Sequence, residues 1–233
     1  MSYSDVIVLK NVHAYYGASH VLRGINLRLA PRSCLSLMGR NGMGKSTTLK
    51  AIMGIVIPRR GAVNIKGVCS NGLSPNVVAN ACIAYVPEER AIFPNLTVRE
   101  NLYVAARPSA KGKVDWDLGR ILDLFPRLSE RLHHWGNNLS GGEQQRVAIA
   151  RALATSNPIL LADEPTGELD FETGKQILKL LVSQANMNRA VLVVSHNREI
   201  AQIADRVIQL SSGQIISDGP PIDGKKDVDA LRW

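Results

Sequence analysis

The chain reads as an α/β fold around a mostly parallel sheet, and three stretches carry that reading. Cys34-Leu35-Ser36-Leu37-Met38, Pro158 to Ala162 and Val191 to Val194 are short, almost wholly apolar runs. A parallel strand buried on both faces has no polar side to alternate with, so it appears as one continuous apolar run. Each run stops at polar or small residues: GRNGMGKST from Gly39 to Thr47, then Asp163-Glu164-Pro165, then Ser195-His196. In open α/β sheets ligands collect at the carboxyl ends of strands, where these residues emerge.

The other elements follow in chain order. Val6 to Tyr16, Val21 to Leu29 and Gly61 to Gly67 carry the alternation and β-branched residues of a small antiparallel layer. Lys45 to Ile55 has the composition of a helix opening straight after the glycines, and Ile83 to Pro87 is a further strand. From Asn95 the pattern turns helical. Thr97 with Glu100 has capping-box spacing, Asp117 to Phe125 gathers Ile121, Leu122, Leu124 and Phe125, and Pro126 interrupts, so several helices are expected. Ser140 with Glu143 repeats the capping-box spacing ahead of a helix from Gly142 to Ala154. A helix near Thr173 to Gln184 and a terminal hairpin over Val207 to Ser217, turning at Ser211-Ser212-Gly213, complete the core. The turn-rich end, GPPIDGKKDVDALRW, is expected to lie loosely on the surface. One domain is expected, with a core of residues 1–94 and 142–218, a helical subdomain of 95–141 and a tail of 219–233.

Gly39 to Ser46 matches G-x-x-x-x-G-K-[ST] without a gap. Gly42 and Gly44 lack Cβ atoms, so the backbone there can take positive φ and bring N–H groups against phosphate oxygens. Lys45 supplies a point charge for the β and γ phosphates, and the Ser46 hydroxyl is a Mg²⁺ ligand candidate. The bland reading is a glycine-rich turn without a ligand; the strand before it and the helix after it argue for an anion site. Asp163 is placed to hold Mg²⁺ directly or through water, and Glu164 to take a proton from an attacking water. Without the phosphate loop the same pair would be an ordinary acidic turn. Ser140-Gly141-Gly142 is a second helix start that a phosphate could approach, or simply a well-capped helix.

These residues together resemble the ATP-binding subunits of ABC transporters, from about Val6 to Ile216. LSGGEQQ, Leu139 to Gln145, is that family's signature sequence and far more specific than a phosphate loop. The resemblance implies a P-loop NTPase core of ABC ATPase type, with a small antiparallel β layer and a helical subdomain. It implies ATP and Mg²⁺ as ligands, held by Gly39, Asn41, Gly42, Gly44, Lys45, Ser46 and Thr47. Tyr16 resembles the aromatic that stacks on adenine; a core-facing role, or Tyr15 in its place, stays open. Glu168-Leu169-Asp170 resembles the loop that communicates across the dimer, with Asp170 its key residue, and His196 the switch histidine at the γ-phosphate. Lys45, Glu164 and His196 would be the catalytic set. Two subunits are expected head to tail, one offering Gly39 to Thr47 and the other Ser140, Gly141 and Gly142, with separate transmembrane permease subunits as partners.

At Pro87-Glu88 most of the family has Pro-Gln, where the amide senses Mg²⁺ and water. A carboxylate beside phosphates is repelled unless it ligates the metal or swings away, and Glu88 is expected to reach Mg²⁺. VPEERAIFPNLTVREN is similar to branched-chain amino-acid importer ATPases, whereas ADEPTGELDFETG and SHNREIAQIADRV are similar to lipoprotein-release and macrolide-type systems. Tyr15-Tyr16-Gly17, Glu88 and FPRLSERL tilt the expectation toward an amino-acid importer. An exporter or lipoprotein-release ATPase, and a soluble ATPase of iron–sulfur cluster assembly, are the alternatives.

Composition sets limits. The formal charge of +8 permits anionic partners without choosing among them. Arg59-Arg60 and Lys225-Lys226 lack the interleaved aromatics of a base-stacking surface, so no nucleic-acid partner is expected. No apolar run reaches membrane-spanning length, and MSYSDVIVLK does not read as a secretory signal. The expected location is cytoplasmic, at the inner face of the membrane through permease subunits and without direct insertion. Cys34, Cys69 and Cys82 lack C-x-x-C spacing and read as small apolar fillers, not as a disulfide framework or zinc site.

Overall fold

A computed structural model describes residues 5–89, 91–105, 118–155, 157–167 and 169–231. Strands Ile7–Tyr16 (β1) and Ser19–Leu29 (β2) lead into Cys34–Met38 (β3), helix Lys45–Ile52 (α1), and strands Arg60–Ile65 (β4) and Val68–Cys69 (β5). Helix Pro75–Ala81 (α2) precedes Ile83–Val86 (β6), and Val98–Ala105 (α3), Leu118–Leu124 (α4) and Pro126–Ser129 (α5) form the helical insertion. Gly141–Leu153 (α6), Ile159–Asp163 (β7), Phe171–Asn186 (α7), Ala190–Ser195 (β8), Arg198–Ala201 (α8), Arg206–Ser211 (β9) and Gln214–Gly219 (β10) follow.

Two sheets result. The four-stranded one, in the order β2-β1-β4-β5, is antiparallel; the six-stranded one runs β10-β9-β3-β8-β7-β6 and is parallel except at the β10 edge. β8 lies between β3 and β7, with Met38 opposite Ser195 and Asp163 opposite Val194. That register brings the three polar strand ends to one edge of the sheet.

The apolar runs are continuous because both faces are covered. Ile159, Leu161, Leu192 and Val194 face a core shared with α1 and the antiparallel layer, while Leu160, Ala162, Val191 and Val193 face a second core under α6 and α7. Truncating one fully buried leucine here, such as Leu161, costs about 2–5 kcal/mol. Val98, Leu102 and Ile121 of the insertion enter the second core, so that segment is packed onto α6.

Several expectations are corrected. The first helix stops at Ile52, before Ile55, because Gly54 has φ 72° and the chain turns back there. The strand expected at Gly61 to Gly67 ends at Ile65: Lys66 and Gly67, both with positive φ, turn the chain into the short β5. α2 was not foreseen: its PNVVANA composition is poor in helix formers, and buried Val78 anchors it. Cys34 and Cys82 are buried fillers, but Cys69 is exposed. The tail is not loose. Val228 and Leu231 are 5% and 2% exposed in the second core, and Asp229 pairs with Lys175 and Lys179 of α7.

Candidate active site

The loop between β3 and α1 has the expected backbone. Gly42 and Gly44 take φ 80° and 101°, and Gly44 is the left-handed cap of α1. A Cβ on Gly44 would come within 2.8 Å of Leu22, whereas Gly42 faces open space where an anion can approach. The β9–β10 turn pins the loop from behind: Ser212 N–H donates to Met43 Sδ at 3.1 Å and Gly213 N–H to the Met43 carbonyl at 3.2 Å. In sequence the Ser-Ser-Gly turn marks only a hairpin, and its contact with Met43 depends on the fold. Lys45 is buried, its Nζ 3.3 Å from the Arg40 carbonyl and 3.7 Å from Glu164 Oε1. Asn41 is exposed, and a cavity of about 890 Å³ runs from Gly39, Arg40 and Asn41 to His196, Arg198 and Asp223. Lys45 and Asp163 do not line it.

Ser46 Oγ donates to Asp163 Oδ1 at 3.1 Å, so the two expected metal ligands already touch. Burial first, then the charges of Glu88 and Glu164, push the Asp163 carboxyl up to about 6 against the opposing Ser46 bond and Lys45. Glu88 is exposed at the end of β6. Hard oxygen donors and an acid that pays for its charge fit a small divalent cation. Among the described residues no group of three or more His, Cys, Asp or Glu gathers as a metal cage. Mg²⁺ commonly takes one or two protein oxygens and completes its shell with phosphates and water.

Glu164 is the hub of the strand ends. Its Oε1 lies 3.0 Å from His196 Nδ1, and its Oε2 accepts from Ser195 Oγ at 3.1 Å. The Glu164 backbone has φ 45° while its N–H donates to the Val194 carbonyl at 2.9 Å. A non-glycine residue in that region stores strain on the order of 1 kcal/mol, held here by the turn that Gly167 closes onto the Glu164 carbonyl. Ser195 was named in sequence only as the neighbour of His196, and its bond to Glu164 is a new element of the site.

The capping box at the start of α6 is complete: Glu143 accepts from the Ser140 backbone at 2.8 Å and the Ser140 hydroxyl accepts in return from Glu143 N–H at 3.4 Å. Burial works against the Glu143 charge, but the bonds from Ser140 and Arg131 hold its carboxyl below the usual range. Ser140 is exposed. Gln145 Nε2 donates to the Pro165 carbonyl at 3.1 Å, tying α6 to the turn after Glu164. Among the described residues no hydrogen bond joins Ser140–Gly142 to Gly39–Thr47. Asp170 caps α7 by accepting from Thr173 N–H at 3.0 Å, and that backbone bond holds its carboxyl low. Glu168 lies outside the described residues.

Tyr15 and Tyr16 differ in occupation. Tyr15 stacks on His20 at 4.2 Å and lies under Arg59 at 4.6 Å, whereas Tyr16 is 48% exposed at the strand end. The exposed ring is the one a planar ligand can cover.

Known proteins resemble this chain over most of its length. The profile of the family described as ABC transporter matches residues 22–167. The chain is 35% identical to the uncharacterized amino-acid ABC transporter ATP-binding protein YhdZ of Escherichia coli, over 93% of this chain and 87% of that one. It is also 35% identical to the macrolide export ATP-binding/permease protein MacB of Brucella melitensis, over 91% of this chain but only 33% of that protein. Among solved structures, the dimeric post-hydrolysis state of the cassette MJ0796 bound to ADP and Pi superposes with a TM-score of 0.81 at 32% identity, covering 91% of this chain and 97% of that one.

Proposed function

The chain belongs to the ABC transporter family, and from that membership we propose that it is the ATP-hydrolysing subunit of a transporter, working as a head-to-tail pair. The observation that carries the reading is Glu164, bonded to Ser195 and His196 and facing Lys45, one residue beyond the Ser46–Asp163 pair. ATP binding and hydrolysis are the activities of this family. The α1 N-terminus and Lys45 hold the phosphates, Tyr16 stacks the base, and Ser46 and Asp163 would hold Mg²⁺. When bound, that ion neutralises charge on the β and γ phosphates. Glu164 takes the proton of the attacking water, and Ser195 and His196 orient its carboxylate.

The second half of the site comes from a partner subunit. In support, Ser140 is exposed and joined to its own phosphate loop by no hydrogen bond among the described residues. The MJ0796 cassette with ADP and Pi is a dimer. A partner's Ser140–Gly142 would contact the γ-phosphate that ADP lacks, and such differential contact is what lets ATP close the pair and hydrolysis open it. Asp170 would meet the partner from the cap of α7.

Transmembrane permease subunits are the proposed recipients of the motion, placing the chain at the cytoplasmic face of a membrane. Among the described residues no helix is long and apolar enough to cross one. For the substrate we propose an amino acid of the branched-chain class, supported by Glu88 and by the likeness to an amino-acid ATP-binding protein. The likeness to a macrolide exporter over similar length favours export as the second reading. Identification of the permeases that copurify with the chain separates the two.

The catalytic reading is tested with Glu164→Gln. Turnover is expected to fall at least about 100-fold, while Mg-ATP binding persists and traps a dimer detectable by light scattering. A variant that stays monomeric at saturating Mg-ATP, or that turns over normally, defeats the proposal.

A further inference from the structure

We infer that a small amphipathic anion binds in the cleft between α4, α6 and α7. The cleft holds about 300 Å³. Leu124, Phe125, Ile177 and Leu180 give it apolar walls, Arg146 and Lys179 give it positive charge, and among the described residues no carboxylate lines it. Thr173, Gln176 and Ser183 add neutral polar groups, so the cleft sets an apolar side against a polar, cationic one.

The two cations are not equivalent. Lys179 is already paired with Asp229 at 2.7 Å. Arg146 Nε is buried and, among the described residues, has no hydrogen-bond partner. Arg146 nevertheless lines the cleft with a permanently charged guanidinium whose further N–H groups suit a carboxylate or phosphate. Asp170 lies near enough for Arg146 to stabilise its charge, but it caps α7 and, among the described residues, makes no hydrogen bond to Arg146 Nε. A carboxylate, sulfonate or phosphate ester on a short hydrocarbon or ring satisfies both halves of the cleft, its oxygens on Arg146 and its body against Ile177 and Phe125.

The position gives such a ligand a purpose. α6 begins at Gly141, under the signature serine, and α7 begins just after Asp170. A molecule wedged between these helices braces two elements that serve the ATP site, without touching the phosphate loop.

The test is a ligand-detected NMR titration of the full chain with sodium benzoate, Mg-ADP being present to occupy the phosphate loop. Benzyl alcohol serves as the uncharged analogue and inorganic phosphate as the charge-only control. Benzoate is expected to bind saturably and at least about tenfold more tightly than either control, the step expected for one charge-assisted bond. Arg146→Met should reduce benzoate to the level of benzyl alcohol. Gln176→Trp, at an exposed lining position, should weaken both aromatic probes while leaving thermal unfolding unchanged. Absence of saturable binding, equal binding of benzoate and either control, or unaltered binding in both variants overturns the inference.

Discussion

His196 Nδ1 and Glu164 Oε1 stand 3.0 Å apart, one at the end of β8 and the other just past the end of β7. Neighbouring parallel strands present their ends side by side, so a carboxylate and an imidazole from residues distant in sequence meet without any special loop. His196→Ala should therefore lower kcat by about 100-fold with little change in nucleotide affinity, while Ser195→Ala, losing one hydroxyl donor to the same carboxylate, should cost about tenfold. Steady-state turnover alongside fluorescent-nucleotide binding checks both. Equal effects of the two substitutions would argue against His196 acting beyond orientation.

Burial of Asp163 has a pH signature in the nucleotide-free, chelator-treated protein. Its carboxyl is raised to about 6 from an ordinary value of 3.8. Between those values the folded chain holds a proton that the unfolded chain has released, so the contribution to stability is lost as pH rises through that window and is constant above it. The loss is on the order of 2 kcal/mol. Urea unfolding of the parent and Asp163→Asn from pH 4 to 7 should show the variant gaining by that amount relative to the parent. A stability difference that does not move with pH would refute the assignment.

Glu88 is exposed at the end of β6, close enough to raise the Asp163 carboxyl through its charge. If it reaches Mg²⁺ in the loaded site, Glu88→Gln and Glu88→Ala should both raise the Mg²⁺ concentration for half-maximal ATPase, by about 10- to 100-fold for one lost outer contact. An unchanged Mg²⁺ dependence in both variants would remove Glu88 from the metal site.

The docked tail makes a contrast between two residues nine apart. Leu231 is 2% exposed, and Leu231→Ala should cost about 2–4 kcal/mol. Ile222 is fully exposed, and Ile222→Ala should change stability by less than about 0.5 kcal/mol. Chemical denaturation of the two variants measures this directly, and equal, small effects would mean that the tail is peripheral after all.

Much of this protein was legible before any coordinates. The apolar runs ending at Met38, Ala162 and Val194 marked the sheet, because strands buried on both faces leave an unambiguous composition. GRNGMGKST marked the anion loop, since only glycines at Gly42 and Gly44 take the required φ, and Ser140 with Glu143 marked a helix start whose two reciprocal bonds are present. Such features are local, and short-range sterics and hydrogen bonding decide them within a few residues. Tertiary structure decided the rest: that Ser195 joins His196 on Glu164, that the Ser212-Gly213 turn pins the phosphate loop through Met43, that Tyr15 is occupied while Tyr16 is exposed, and that Val228 and Leu231 bury the tail. Each depends on groups far apart in the chain arriving at one place, and that meeting is set by strand order and core packing, which no window of sequence encodes.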